Sequence, residues 1–511
     1  MSTTTNRTYC IFLHAYLASV LQQLEQDLGE LLSEEMKQIP ELVASFLSEP
    51  ISPTTFLEFE ERLQQILREF GRKVMEFTCN ECEPERAEDA PHDTTYEAGG
   101  YRRMNHKTPN RYVETTFGRI CLWRRGYRYW HRDQKEPNIF PLELLFGLFH
   151  GATPALANEL SRMMAEAGAT QTRVLEQAKR QFDVAISVQR LRDIVAAVAK
   201  SMEELRQHYQ VLRLLELLHK ADESRGRCKP VLSVGRDGIC MPMTGGGVYQ
   251  QGATATVTVY DRQGQRLGTV YLATTPESLQ PQLTADLTAL IRETLYQWCE
   301  EQGRPLPRLC YVTDAGDNEC GYYSKVLCRM RDPRDSGKYL HWHRIIDYFH
   351  TTEKITAMAE ALFGAGQKAS SWARKMRKLL RQPSGASRVL HSAAAMRSLY
   401  GVRRNHEDDF ERAYNYIRSR TRHMQYAEFK RMQLPIGSGV TEAACKTVFT
   451  QRLKLSGMGW GHQGAQVILD LRTILLSGIW DDVYKASVDN RNPLKLKAYH
   501  KHNDQPLAKA A

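Results

Sequence analysis

Long apolar runs are missing from this 511-residue chain, and none is long enough to cross a bilayer as a helix. Cysteine is sparse and odd in number. Eleven residues at irregular spacing argue against a disulfide framework and for a reducing compartment. Acidic charge is in deficit: 59 Asp and Glu stand against 69 Lys and Arg, giving a net charge of +10 and a pI near 9.0. Such a balance favours an acidic partner, nucleic acid foremost. The apolar stretch Cys10–Leu17 runs at once into glutamines and acids, so it reads as an amphipathic helix rather than a secretion signal. The expectation is a soluble, cytoplasmic protein. Cys79-Asn80-Glu81-Cys82 has the spacing of half a zinc site, but no second such pair follows. A structural site needs four ligands, and His92, His106 and Cys121 are the nearest further candidates. Structural zinc is therefore not expected; the two cysteines read as free thiols in a loop.

The apolar residues then mark out segments. Residues 1–75 read as a helical arm, with Leu17, Val20, Leu21, Leu24 and Leu28, and later Phe59, Leu63, Ile66, Leu67 and Phe70, at helical spacing. Residues 76–145 read as a polar linker and then a β-rich basic segment with the remnant zinc pair; Gly118 suits a hairpin turn. Its end interleaves Arg124, Arg125, Arg128 and Arg132 with Tyr127, Tyr129 and Trp130, a mixture that suits DNA contact. Residues 146–222 break into three short helical patterns and one longer helix from about Lys200, as in a helix-turn-helix reader.

Beyond residue 223 the period changes. Pro230–Gly238 reads as a strand ending in Asp237, followed by strands at Ala253–Tyr260 and Thr269–Ala273. A long amphipathic helix leads to Leu309–Thr313, another strand, which ends in Asp314. Arg344–Asp347 forms a short fifth strand. Three antiparallel strands, then alternating helices and strands, predict an α/β sheet of the RNase H type over residues 223–365 and 433–485. A helical insertion, residues 366–432, separates the two parts, and residues 486–511 form a basic tail. Within 368–431 there are 16 Lys and Arg against 5 Asp and Glu, an excess larger than that of the whole chain. The cationic charge is thus concentrated in one segment, including Arg374, Lys375, Arg377 and Lys378.

After the insertion comes Pro435-Ile436-Gly437-Ser438-Gly439-Val440-Thr441-Glu442, a glycine-rich loop entering a helix that Thr441 can cap. Lys446, Arg452 and Lys454 follow it. Displacement of a phosphodiester oxygen can use two magnesium ions, held by few carboxylates plus substrate oxygens. Asp237, Asp314 and Glu442 are three acids on elements that can meet, with Asp317 and Glu319 as alternatives for the second.

The segment Gly437–Lys446, continuing through Gln451–Trp460, resembles insertion-sequence transposases of the DDE class, specifically the ISKra-type group. Leu469–Arg472 and Ser477–Trp480 extend the likeness. Asp347-Tyr348-Phe349-His350 is similar to the Asp-x-x-His signature of such enzymes, and Thr115–Gly118 with Phe140–Leu142 to their N-terminal half. The resemblance implies catalytic, metal-holding Asp237, Asp314 and Glu442, two Mg2+ or Mn2+ ions, and supporting roles for Asp347 and His350. It implies double-stranded DNA partners, namely terminal inverted repeats and target, and a homo-oligomer on paired ends. Phosphate grip falls to Lys446, Arg452, Lys454 and the four insertion cations, with end recognition in residues 111–200. Many relatives carry further cysteines where this chain has Tyr127-Arg128-Tyr129-Trp130-His131. Trp372 reads as core, although insertion-domain tryptophans of distant relatives stack on unpaired bases. A structure-specific nuclease and a catalytically silent, domesticated DNA-binding regulator are the alternatives.

Overall fold

The computed structural model describes residues 22–83, 100–130, 136–244, 249–403 and 405–491. Cys10–Leu17, His92, His131, Arg132 and all but the first residues of the basic tail lie outside the described residues. Two compact units emerge. One contains the described residues up to Ser161, Thr170–Val198 and those from Val488; the other contains Arg162–Ala169 and Ala199–Ser487. Among the described residues no helix is long and apolar enough to cross a membrane.

In the first unit, helix α1 (Ser33–Ser48) is followed by α2 (Pro53–Glu81). Ser52 and Thr55 exchange side-chain and backbone hydrogen bonds at 2.9 and 3.1 Å, closing the start of α2. Cys79 lies within α2 and Cys82 caps it, so the pair belongs to a helix end rather than to a loop. Strand β1 (Tyr101–Arg103) pairs with β4 (Tyr127–Tyr129), and β2 (Thr108–Thr115) with β3 (Gly118–Arg124), all antiparallel. Gly118, at φ +106°, makes the β2–β3 turn that its position predicts. Helices α3 (Pro141–Leu145), α4 (Pro154–Ala165), α5 (Gln171–Phe182) and α6 (Val188–Glu223) follow. The expected third short helix and the longer one after Lys200 are a single helix of 36 residues, because no glycine or proline interrupts Val198–Met202.

The second unit is a mixed α/β layer structure. Strands β5 (Val231–Pro242), β6 (Tyr249–Tyr260) and β7 (Arg266–Thr274) form an antiparallel meander. Strand β8 (Arg308–Thr313) adds in parallel to β5. A two-stranded excursion, β9 (Arg331–Asp332) and β10 (Asp335–Tyr339), precedes β11 (Trp342–Ile346), which pairs in parallel with β8. The sheet order is β11-β8-β5-β6-β7. Alternation along each strand supplies two cores. Leu232, Val234, Leu309 and Tyr311 face α6 and α7 (Pro281–Tyr296). Val231, Cys310, Val312 and Ile345 face the opposite layer, built from α9 (Tyr348–Phe363), α10 (Gln367–Leu380), α11 (Gly385–Tyr400), α12 (Glu407–Arg420) and α13 (Tyr426–Arg431). Helix α8 (Asp317–Lys325) follows β8 directly.

Two further helices complete the sheet. Helix α14 (Gly439–Ala444) runs into a π-helical turn at Cys445–Thr450. Helix α15 (His462–Leu476) covers the β7 edge. There Gln466 accepts the Thr275 N–H at 2.9 Å, and Ser477, just past the helix, accepts that of Tyr271 at 3.0 Å. Edge strands left open are pairing hazards, so this cover matters. Helix α16 (Trp480–Arg491) ends the described chain.

Candidate functional site

The β5–β8 register places two acids side by side. Val234 is opposite Tyr311, so Asp237 and Asp314 stand the same three residues further along neighbouring parallel strands. Asp314 follows the last residue of β8, as the sequence pattern predicts. Asp237 lies inside β5 rather than at its end, because β5 and β6 continue their pairing to Pro242–Tyr249. The Gly238 N–H donates to Asp237 Oδ1 at 2.7 Å, and the Cys445 thiol to Oδ2 at 3.2 Å. Asp314 Oδ1 accepts the Gly316 N–H at 3.1 Å. Tyr416 of α12 donates its hydroxyl to the Asp314 carbonyl at 2.7 Å, so the helical insertion braces this strand end.

Helix α14 brings the third acid. It approaches β5 so closely that a Cβ on Gly235 would lie 2.0 Å from Thr441 Oγ1. Thr441 is therefore no helix cap: it is buried, with its hydroxyl 2.8 Å from that of Thr256. Ser438 occupies the cap position. Its hydroxyl is 2.6 Å from Glu442 Oε1 and 2.9 Å from Asp347 Oδ2. Asp347 is fully buried and caps α9 by accepting the His350 N–H at 2.6 Å; it also accepts the Ser438 N–H. His350 Nε2 stands 3.7 Å from Glu442 Oε1, and Nδ1 is 3.0 Å from Glu353. Although burial disfavours its charged form, Glu353, Asp347 and Asp314 leave the His350 pKa raised.

Electrostatics link the acids. Burial pushes the Asp237 carboxyl above its ordinary range, and Asp314 and Glu442 add to the rise, while Cys445 and Gly238 oppose it. Glu319 is also raised, by burial first and then by Asp314 and Asp237. Cys445 is pushed up strongly by burial and by the same three carboxylates. Four acids and a thiol thus share one end of the sheet. Each acid is turned to a local hydrogen-bond donor, and among the described residues no three His, Cys, Asp or Glu side chains converge as a ready ligand set.

The cations divide into two kinds. On α10, Arg374, Lys375, Arg377 and Lys378 are exposed on the face opposite Ala369, Ala373, Met376 and Leu380. Lys446 is exposed and Lys454 half-buried. Arg452 does not belong with them. It is 1 % exposed, donates Nε–H to the Met164 carbonyl at 2.8 Å and lies over the Trp460 ring, so it holds the fold instead of facing a ligand. Burial lowers its pKa to about 10. Arg124 and Arg125 in the first unit are buried as well, Arg124 pairing with Glu143 at 2.6 Å. Trp372 packs against Phe363 and donates to Ser392 at 3.2 Å, a core position as expected.

Ser438 and Cys445 are the site residues that the pattern of acids does not single out; their spacing of −4 and +3 from Glu442 puts them on its helix face, which is the available signal. No family model matches this chain, and no curated protein matches it either.

Proposed function

We propose that this chain is a DNA transposase of the DDE kind, built on an RNase H-like core. The observation that carries the reading is the meander-plus-parallel sheet with Asp237, Asp314 and Glu442 electrostatically joined at one end. The donor set suits a hard divalent cation, since mutually repelling carboxylates are relieved by such a charge. Asp237 and Asp314 would hold Mg2+ or Mn2+, two ions in all, with Glu442 completing the set. What these ions supply when bound is activation of the attacking oxygen and neutralisation of the leaving one.

The chain's own residues then have distinct tasks. Gly238 and Cys445 orient the Asp237 carboxylate, Gly316 orients that of Asp314, and Ser438 that of Glu442. Asp347 locks α9 to the start of α14, and His350 sets its imidazole Nε2 3.7 Å from Glu442. The exposed α10 cations, Lys446 and Lys454 would hold phosphates, which set position rather than sequence choice. Recognition of terminal inverted repeats falls to residues 111–200, and target DNA is the second partner. Exposed Leu47, Ile51, Phe56 and Leu57 suit a second copy of the chain on paired ends.

Strand transfer with purified protein, the element's end DNA and Mg2+ or Mn2+, run beside Glu442→Gln, tests the proposal. Joined products from the wild type alone support it. Cleavage without joining points to a nuclease, and binding without reaction in both proteins to a DNA-binding regulator.

A further inference from the structure

Helices α7 and α8, with the tight turn Leu327–Arg329 that follows α8, border an open trough. Along α7 its floor is Thr284, Ala285, Thr288 and Ala289, side chains too short to fill it. Arg292, Lys325 and Arg329 stand around it, and no acid lines it. The nearest acids of α7 are engaged elsewhere: Asp286 pairs with Arg206 at 3.5 Å, and Glu293 accepts from the Gln297 amide at 2.7 Å. Arg292, Lys325 and Arg329 are exposed, and none of the three side chains has an ion pair or hydrogen bond among the described residues. A concave surface lined by charge of one sign concentrates its field on a counter-ion.

A fourth cation stands behind the floor. Arg236 is 2 % exposed and has no carboxylate partner among the described residues, although a buried charge is ordinarily paired. It lies over the Tyr322 ring, gives Nη2–H to Gln280 at 2.9 Å and Nη1–H to Thr284 Oγ1 at 3.0 Å, and its Nε has no partner. As an acceptor from Arg236, the Thr284 hydroxyl keeps its own hydrogen for an acceptor in the trough. Thr288 differs, because its hydroxyl donates to the Thr284 carbonyl at 2.6 Å. An anion on Thr284 is therefore one hydrogen bond away from the residue that precedes Asp237.

The shape selects among anions. Thr284, Thr288 and Arg292 recur one turn apart, so the track runs about 12 Å along α7. Over that length one strand of a duplex presents about three phosphates. A backbone needs no enclosure, since donors spaced along an open track suffice to position it. No aromatic side chain lines the trough, so a stacking surface for single-stranded bases is missing. The trough lies in the layer of α6 and α7, whereas the α10 cations belong to the layer across the sheet.

We propose that this trough is a second track for the phosphate backbone of duplex DNA, separate from that of the α10 cations. This rests on the reading of the chain as a DNA enzyme, and it adds a contact surface to it.

The test is residue-specific protection of the full chain, at low salt and without divalent cation. Lysines are acylated and arginines modified with a dicarbonyl reagent, with and without a duplex whose binding anisotropy reports, and modified sites are read by mass spectrometry. The duplex is expected to slow modification of Arg292, Lys325 and Arg329 several-fold, along with that of Lys375 and Lys378. The triple variant Arg292→Gln, Lys325→Gln, Arg329→Gln, with a thermal melt to confirm its fold, should keep the protection of Lys375 and Lys378. Its slope of log affinity against log salt should be shallower by roughly 0.9 for each phosphate no longer neutralised. Protection of Lys375 and Lys378 alone, or an unchanged slope in the variant, overturns the trough and leaves the DNA reading standing. Protection of Lys375 and Lys378 that vanishes in the variant overturns the separateness of the two tracks. Protection of the trough that inorganic phosphate alone reproduces overturns the duplex as its occupant. Absence of binding to any duplex overturns both the trough and the DNA reading.

Discussion

Gly235 and Thr441 touch across β5 and α14 at a distance that leaves no room for a side chain on the strand: an added Cβ would fall 2.0 Å from the Thr441 hydroxyl. The residue after Thr441 is Glu442, and the residue two after Gly235 is Asp237. The contact therefore sets the spacing of two acids. Gly235→Ala should cost about 1–3 kcal/mol of stability through overpacking. Combining it with Thr441→Ala, which removes the clashing oxygen, should recover part of the loss. Denaturant unfolding of the single and double variants checks this; purely additive losses would mean that the contact does not set the helix position.

Asp237→Asn separates stability from activity. The carboxyl is raised by burial and then by its neighbouring acids, so its ionised form opposes folding. A raised folded-state pKa means that its contribution is fully favourable below the unfolded value and is lost as pH rises through the folded one. The Asn variant should melt higher than the wild type at neutral pH, with the difference vanishing in acid. On the proposed function, DNA cleavage should fall by at least about a hundredfold. A lower melting temperature at pH 7 would contradict the electrostatic account.

Asp347→Asn addresses the brace beneath Glu442. Asp347 Oδ2 accepts both the N–H and the hydroxyl of Ser438, and an amide nitrogen in that place presents hydrogens to a donor. A loss of about 1–3 kcal/mol is expected from the buried mismatch. Because α9 and α14 are both anchored there, amide exchange should accelerate at His350 and Ser438 together. Exchange unchanged at either position would remove Asp347 from the role.

Salt dependence distinguishes the two kinds of cation. Replacing Arg374, Lys375, Arg377 and Lys378 by Gln should leave the melting temperature nearly unchanged. It should lower the slope of log affinity against log salt by roughly 0.9 for each phosphate that is no longer neutralised. Arg452→Ala should do the opposite. It leaves the Met164 carbonyl without its donor and opens a hole, costing about 2–4 kcal/mol, while the salt slope stays as it was.

The strands of the second unit are legible in the sequence because each alternates or runs apolar between turn residues, and Asp314 is readable as the residue ending one of them. Helix α6 reads as two although Val195, Val198, Ala199 and Met202 carry one apolar stripe past Lys200 and no glycine or proline falls there. The β9–β10 excursion escapes a reading by pattern because it is short and its β10 strand is exposed throughout; Asp332-Pro333-Arg334-Asp335 is its turn signal. Cations are the least legible. Whether an arginine faces solvent or a carbonyl depends on chain far away in sequence, and the carbonyl that holds Arg452 is 288 residues distant. The same holds for Thr441, whose hydroxyl partner Thr256 is 185 residues away, so that a capping residue and a packing residue look alike.

That separation also sets an order of assembly. On the ribosome, all five strands of the sheet and the whole helical insertion emerge before Ser438 and Glu442. Loop-closure entropy delays contacts between remote segments. The nascent chain thus presents its cationic insertion while the helix that carries Glu442 is still unmade.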